Sequence, residues 1–454
     1  MAERQNRAGM GQVFRRAWRA RWQRVRAGTP PPILQKDSNY TRKLFWSQYP
    51  DSGFPPRVNH AVAAHMNEYR EWYVFSFGGY HADDDQRTVR QADSLGGPVF
   101  SSQPIDVQCC DCDSRTWSHL APPSEAKYFD LGPYTRCKVP SRRYGHTMCE
   151  YQGRVYMYGG RNDEDGSFAV VECYDIKHNV WLSIRQDGEK PLSRDGHACT
   201  AVGPEMLIHG GFSANELQFS PDTYAFNMSS HTWRKLKCTG VAVPERDFHT
   251  ATATKDGKKM VVYGGRSDKF HPYFTANDEY DSKFYCLDLA TLIWSEKEVT
   301  GYCPEGRRSH CAITYGSSVL YYGGYNAVYK QHFGDLFLLD TDTWHIQELR
   351  PFGDGPAPRR RVGCALIGTE VLVCGGTSPV KILKDGKEME ILHDNNEMYI
   401  LQLLPSLEQL CLEAIIKKDV SFVHLPLHMQ KIIGKIANKH IVTISSQSAE
   451  KLQA

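Results

Sequence analysis

The chain has 454 residues, enough for one large domain or two to three ordinary ones, and its 41% hydrophobic and 23% charged content is that of a soluble globular protein. A formal net charge of +2 predicts no strong pull toward nucleic acid or membrane, and no apolar run approaches the ~20 residues of a membrane span. The fourteen cysteines sit mostly singly in apolar runs, with no signal-peptide pattern, so a reduced compartment, cytoplasm and nucleus, is expected.

The chain begins with a basic segment. Residues 4–26 hold eight arginines, and no acid lies between Glu3 and Asp37. Residues 1–38 read as a disordered tail. Trp18 and Trp22, four apart, leave a transit peptide or membrane-surface helix open, and the arginines leave open a nuclear or nucleic-acid patch. A first strand is expected within 39–50, at Arg42–Tyr49 with Trp46 at its centre.

From there one pattern recurs six times. A short apolar run ends in a glycine doublet: Gly78-Gly79, Gly159-Gly160, Gly210-Gly211, Gly264-Gly265, Gly323-Gly324 and Gly375-Gly376. Upstream of five doublets lies a histidine (His60, His146, His197, His249, His310), and Gly363 takes that place in the sixth. Downstream lie Trp117, Trp181, Trp233, Trp294 and Trp344. Asp111, Asp175, Asn227 and Asp288 precede the first four tryptophans by six residues.

Each unit offers four short strands, and one such sheet cannot bury both of its faces. A period near 50 residues therefore predicts an all-β, six-bladed propeller over 39–403, with neighbouring blades covering one another. The sixth unit has the strand Met398–Leu403 but no Trp strand. The 39–50 strand is expected to complete it from the other end of the chain, which removes an exposed edge. In this register Cys110 aligns with Tyr174, Phe226 and Leu287, so Cys109, Cys110 and Cys112 fall on a blade strand rather than at a metal. Five histidines at one structural position read as repeated hydrogen-bonding groups, not as five catalytic bases.

Four strands running up and down place the loop leading to each histidine at the same end as the loop after Gly-Gly. Both sets carry arginines and aromatics, among them Arg142-Arg143-Tyr144, Arg246-Asp247-Phe248, Arg307-Arg308-Ser309 and Arg359-Arg360-Arg361, facing Tyr80, Arg161, Phe212, Arg266 and Tyr325. Guanidinium groups beside aromatic walls suit a carboxylate or phosphate, and this mix is common at interface hot spots. About half of the arginines are expected to pair with acids for structure, Arg194 and Arg246 first because each adjoins an aspartate. Insertions at His81–Pro104 and Ser267–Ser282 mark the same end. No nucleophile–base or phosphate-loop pattern stands out, so no catalytic group, cofactor or metal is expected.

After the last strand the character changes. Leu407, Leu410, Cys411, Ala414 and Ile415 form a helical apolar stripe that Ser406 can cap, and Leu425-Pro426 with Met429 and Ile432-Ile433 follows. A short helical segment is expected over 404–440, and a tail over 441–454.

The six repeats resemble the kelch propeller. Ser406-Leu407-x-x-x-Cys411-x-x-x-Ile415 resembles a BC box, the helix that docks on elongin C, and Leu425-Pro426-x-x-Met429 resembles the cullin-2 box that follows it. A propeller followed by such a box is the layout of the kelch-domain substrate receptors of cullin-2 ubiquitin ligases. Arg143-Tyr144-Gly145-His146, Gly160-Arg161-Asn162-Asp163 and Arg246-Asp247-Phe248-His249 are similar to phrases of that family. The resemblance covers about residues 40 to 433.

It implies a non-catalytic adaptor that captures C-terminal degron peptides, particularly chain ends finishing in glycine, in a pocket on the propeller rim. Arg266, Arg308 and Ser309 would hold the terminal carboxylate. The family's serine two before a blade's histidine is Arg308 here, which keeps an anion-binding group. Tyr144, Phe248 and Arg161 would line the pocket, and Asp195 and Asp247 would read a basic residue before the terminal glycine. Leu407, Cys411 and Ile415 would bind elongin B/C, and Leu425, Pro426 and Met429 cullin-2. No nucleic acid is expected on the propeller, and no membrane. The alternative is a kelch scaffold for chromatin, phosphoinositide or cytoskeleton, with the C-terminal helix sealing the ring.

Overall fold

The computed structural model describes residues 44–80, 103–123, 130–384 and 387–404. All regular structure among them is β-strand. Six four-stranded antiparallel sheets form the blades of a propeller, four of them with an added short outermost strand. The innermost strands are Ala61–Met66, Tyr144–Tyr151, Ala198–Val202, Thr250–Ala253, Cys311–Tyr315 and Gly363–Ile367. Each touches the next around the ring, and the last touches the first.

The second strands are continuous apolar runs because both of their faces are covered. In Lys259–Tyr263, Met260, Val261, Val262 and Tyr263 are all fully buried. Six hydrophobic clusters hold the ring, one at each junction between blades. The cluster joining the sixth blade to the first contains Val74, Cys110 and Trp117 with Leu372, Cys374 and Ile400. Cys109 and Cys110 lie in the strand Val107–Asp111, with Cys110 opposite both Val74 and Trp117.

The sixth blade is completed by Phe45–Tyr49, which runs antiparallel to Met398–Gln402 from Phe45 opposite Gln402 to Tyr49 opposite Met398. Trp46 in that strand meets Tyr322 and Tyr399 edge-on at 6.0 and 6.3 Å.

Three details of the repeat differ from the sequence pattern. In the fifth blade Ile346, not Trp344, occupies the tryptophan position: Ile346 pairs with Leu339 as Trp294 pairs with Leu287. Trp344 sits instead in the preceding turn at φ 56°, matching Leu292 at φ 57°. In the sixth blade Val362 stands where the histidine stands elsewhere. A Cβ added to Gly376 would meet Val362 at 3.2 Å, as one on Gly324 would meet His310. Gly363 begins the strand, where a Cβ would come within 2.3 Å of His60 Nε2. The third detail is a hairpin, Thr377–Lys384 with Lys387–Asp394, which follows the last glycine doublet directly and has no counterpart of that length in the other units among the described residues.

One cysteine pair departs from the expectation of reduced thiols. Cys311 and Cys364 form a disulfide between the innermost strands of the fifth and sixth blades. Cys149 and Cys199 face each other similarly between the second and third blades, with 3.6 Å between sulfurs.

Candidate binding rim at the channel mouth

Six arginines, one per blade, build the rim from beneath: Arg57, Arg143, Arg194, Arg246, Arg307 and Arg359, each no more than 4% exposed. Five donate from Nη1 to the carbonyl of the first glycine in their own blade's doublet, at 2.8 to 3.2 Å. Most also meet an acid. Arg246 reaches Asp281 at 3.0 Å, Arg359 reaches Glu397 at 3.1 Å, and Arg307 pairs with Asp335. Arg194 and Arg246 are thus structural as expected, but not through the aspartates beside them. Arg194 is anchored on the Gly210 carbonyl, and Arg246 on Gly264 and Asp281.

The glycine doublets are required by this packing. Gly159, at φ 68°, lies where a Cβ would come within 2.6 Å of the Arg194 carbonyl in the next blade, and one on Gly160 would lie 2.9 Å from the Tyr144 carbonyl. The chain can therefore turn tightly against both its own leading loop and the neighbour's.

Two residues before each histidine position, the leading loop bridges to the residue just after Gly-Gly. The pairs are Val58 with Tyr80, Tyr144 with Arg161, Asp195 with Phe212, Asp247 with Arg266, Arg308 with Tyr325, and Arg360 with Thr377. This confirms that the two loop sets share one end of the propeller.

One residue further on, Asn59, Gly145, Gly196, Phe248, Ser309 and Arg361 all adopt left-handed backbone, with φ between 50° and 68°. Their backbones form a closed ring of hydrogen bonds. Each N–H donates to the carbonyl of the residue before it in the ring, at 2.6 to 3.4 Å, and Asn59 closes the circle on Arg361. A left-handed residue other than glycine costs roughly 1–2 kcal/mol, which the ring offsets. Its effect is to fix Phe248, Ser309 and Arg361 at the mouth of the channel.

The histidines sit just below. Burial pushes His60, His146 and His310 down to about 3, which keeps their rings neutral. His197 Nε2 is hydrogen-bonded to Thr147 at 2.6 Å and His310 Nε2 to Thr250 at 2.9 Å, so they link blades.

A family model described as the KLHDC2/KLHL20/DRC7 Kelch-repeats domain matches residues 94–280 and 272–406. Kelch domain-containing protein 3 of Homo sapiens is 34% identical over 383 residues, which are 84% of this chain and 93% of that protein. The Bos taurus protein of the same name gives the same figures. The chain belongs to the kelch-repeat family. More distant relatives include the host cell factor homolog hcf-1 of Caenorhabditis elegans, 26% identical over 53% of this chain and 32% of that protein. Acyl-CoA-binding domain-containing protein 5 of Arabidopsis thaliana is 27% identical over 72% of this chain and 48% of that protein.

On this kelch rim the expected site residues come together, but their charges are not equally free. Arg266 is held by Asp247 through both nitrogens of a fork, one at 3.1 Å, and its guanidinium lies 4.9 Å from the Phe274 ring centre. Asp247 is 1% exposed, and the pair largely neutralises itself. Arg161 donates to the Tyr144 hydroxyl at 2.8 Å, which in turn donates to Asp163 at 3.1 Å. Asp195 is different. It is 4% exposed, its Oδ1 has no hydrogen-bond partner, and burial pushes its carboxyl up to about 7.

Arg308 is half-buried and in no ion pair among the described residues. Two neighbours singled out only as part of an arginine-rich loop share that condition, Arg360 and Arg361. Arg308 and Arg360 lie over the same Tyr325 ring, at 5.7 and 4.4 Å from its centre. Burial, then Arg360 and Arg308, push Arg361 down to about 10. The sequence signal that could have ranked this trio is that Arg308 and Arg360 stand two before the histidine position, where the third and fourth blades carry Asp195 and Asp247. Leu407, Cys411, Ile415, Leu425, Pro426 and Met429 lie outside the described residues.

Proposed function

We propose that this kelch protein is the substrate-recognition subunit of a cullin-2 ubiquitin ligase, a non-catalytic adaptor of cytoplasm and nucleus that captures C-terminal degrons on this rim. The observation that carries the reading is the polarity of the mouth. The fifth and sixth blades present Arg308, Arg360 and Arg361, which make no ion pair among the described residues, while the third, across the ring, holds Asp195, one of whose carboxylate oxygens has no hydrogen-bond partner. A chain end offers a carboxylate and, one residue back, a side chain that can be basic, so it complements both sides.

Arg308 and Ser309 are the carboxylate-binding groups of this reading. Arg266, bonded to Asp247, acts as a positioning residue instead. Phe248 and Tyr144 supply walls. Elongin B/C and cullin-2 are the partners proposed for the segment from Leu407 to Met429, on its motifs alone.

Two measurements test the halves of the reading separately. A peptide ending in Arg-Gly with a free carboxylate should bind the purified chain at least tenfold more tightly than its C-terminal amide, and Arg308→Gln should abolish the difference. Equal binding of acid and amide would refute the pocket. Pull-down of elongin B/C should succeed with the wild type and fail with Leu407→Ser/Cys411→Ser. A wild type that captures no elongin would return the protein to the scaffold reading.

A further inference from the structure

A single carboxylate accepts one guanidinium fork and carries one charge. The mouth offers three forks. Arg308, Arg360 and Arg361 are held by backbone stations that leave little freedom. Arg308 exchanges two hydrogen bonds of 2.9 Å with Tyr325, Arg360 bonds Thr377 at 3.0 and 2.9 Å, and the Arg361 N–H donates to the Ser309 carbonyl at 2.8 Å. The Tyr325 ring that carries two of the guanidiniums is packed at 4.6 Å on His332. Arg360 Nε and His332 Nε2 are buried without any hydrogen-bond partner. Asp394 is the carboxylate whose charge acts on both Arg360 and Arg361, and it already accepts from the Thr377 hydroxyl at 3.1 Å. Asp247, on which the Arg308 charge also acts, is already paired with Arg266, so three positive charges against Asp394 leave a surplus of two, of which one bound carboxylate would balance only one.

We propose that Arg308 and Arg360, over the Tyr325 ring, and the neighbouring Arg361 form a subsite for a phosphate monoester dianion. Two charges and three terminal oxygens match that surplus of two and the three guanidinium forks better than a single carboxylate does. Planar guanidiniums preorganised on an aromatic ring suit phosphate better than lysines would. The site rests on the rim reading only for its natural source: a phosphorylated side chain close to the bound chain end, which would make capture dependent on phosphorylation. A free phosphate-bearing metabolite is the other source of the same chemistry, and it would compete with the peptide.

The test uses the full chain and inorganic phosphate, titrated calorimetrically against chloride at matched ionic strength. Phosphate should bind the wild type, and Arg308→Gln and Arg360→Gln should each weaken it at least tenfold. Arg185→Gln, at an exposed site, should leave it unchanged. No binding above the chloride control, or equal binding by the variants, overturns the proposal. A readout that needs no variant is phenylglyoxal modification of the wild type mapped by mass spectrometry, where phosphate should protect Arg308 and Arg360 at least threefold. Unprotected arginines would equally overturn it.

Paired peptides with and without phosphoserine near a free C-terminus then separate the sources. Tighter phosphopeptide binding assigns the phosphate to the partner, and competition by phosphate without a peptide difference assigns it to a free anion. Because inorganic phosphate needs no peptide, this result stands or falls apart from the elongin pull-down and the acid-against-amide comparison.

Discussion

At the scale of single residues, the rim separates arginines that support the fold from those left to bind. Arg307 is 1% exposed, anchored on the Glu305 and Gly323 carbonyls, and paired with Asp335. Arg307→Ala strands that acid and two carbonyls, so a loss of about 3–5 kcal/mol is expected in urea unfolding, with the fifth blade most affected. Asp195 behaves in the opposite sense. Its carboxyl keeps its proton to about 7 in the folded chain, against about 4 when unfolded. The unfolded state therefore releases its proton first as pH rises, and stability falls from about pH 4 to about pH 7, then stays low. Asp195→Asn should remove that slope: at pH 8 the unfolding midpoint rises by the equivalent of ~2–4 kcal/mol, and at pH 4 it does not move. Loss of binding by basic-ended peptides in the same variant would mark the residue as a reader of charge.

At the scale of elements, the strand Phe45–Tyr49 carries the closure. It joins the two ends of the described ring through five paired residues and wedges Trp46 between blades five and six. Trp46→Ala should cost about 3 kcal/mol. Removing residues 1–50 should leave the Met398–Gln402 edge unpaired and the chain prone to associate, readable by size-exclusion chromatography with light scattering. A truncated chain that stays monomeric with an unchanged unfolding midpoint would show that the strand is dispensable. The doublets and the aromatic positions were legible because the repeat prints them six times. The substitutions of Ile346 for tryptophan and Val362 for histidine were not, since a pattern match locks onto residue type one or two places away. Only strand register decides which residue holds the place.

At the scale of the whole molecule, the ring turns six similar loops into one mouth. No single leading loop is a site. Arg308 comes from the fifth unit, Arg360 and Arg361 from the sixth and Asp195 from the third, and they face one channel only because the propeller closes. Around that mouth, the loops after Gly-Gly in blades three to six expose Leu217, Phe270, Tyr273, Tyr329 and Met389, so an apolar crown rises outside the charged centre. That layering, charged centre within an apolar rim, is what a protein end rather than a small soluble anion would meet first.

The sequence by itself determined the number of blades, their order and the strand that closes them, because a repeated unit unable to bury both faces has few ways to stack. It also marked which end carries the arginines, since alternate strands of an up-and-down sheet fix which loops are neighbours. Only the tertiary structure decided which charges are free. Arg266 follows a glycine doublet and Arg308 leads into a strand at the same rim, yet the first meets Asp247 within hydrogen-bonding distance and the second makes no ion pair among the described residues and lies over the Tyr325 ring. Whether a buried charge is neutralised depends on partners within a few ångströms, and those come from other segments of the same blade, 19 residues away for Arg266 and 35 for Arg246.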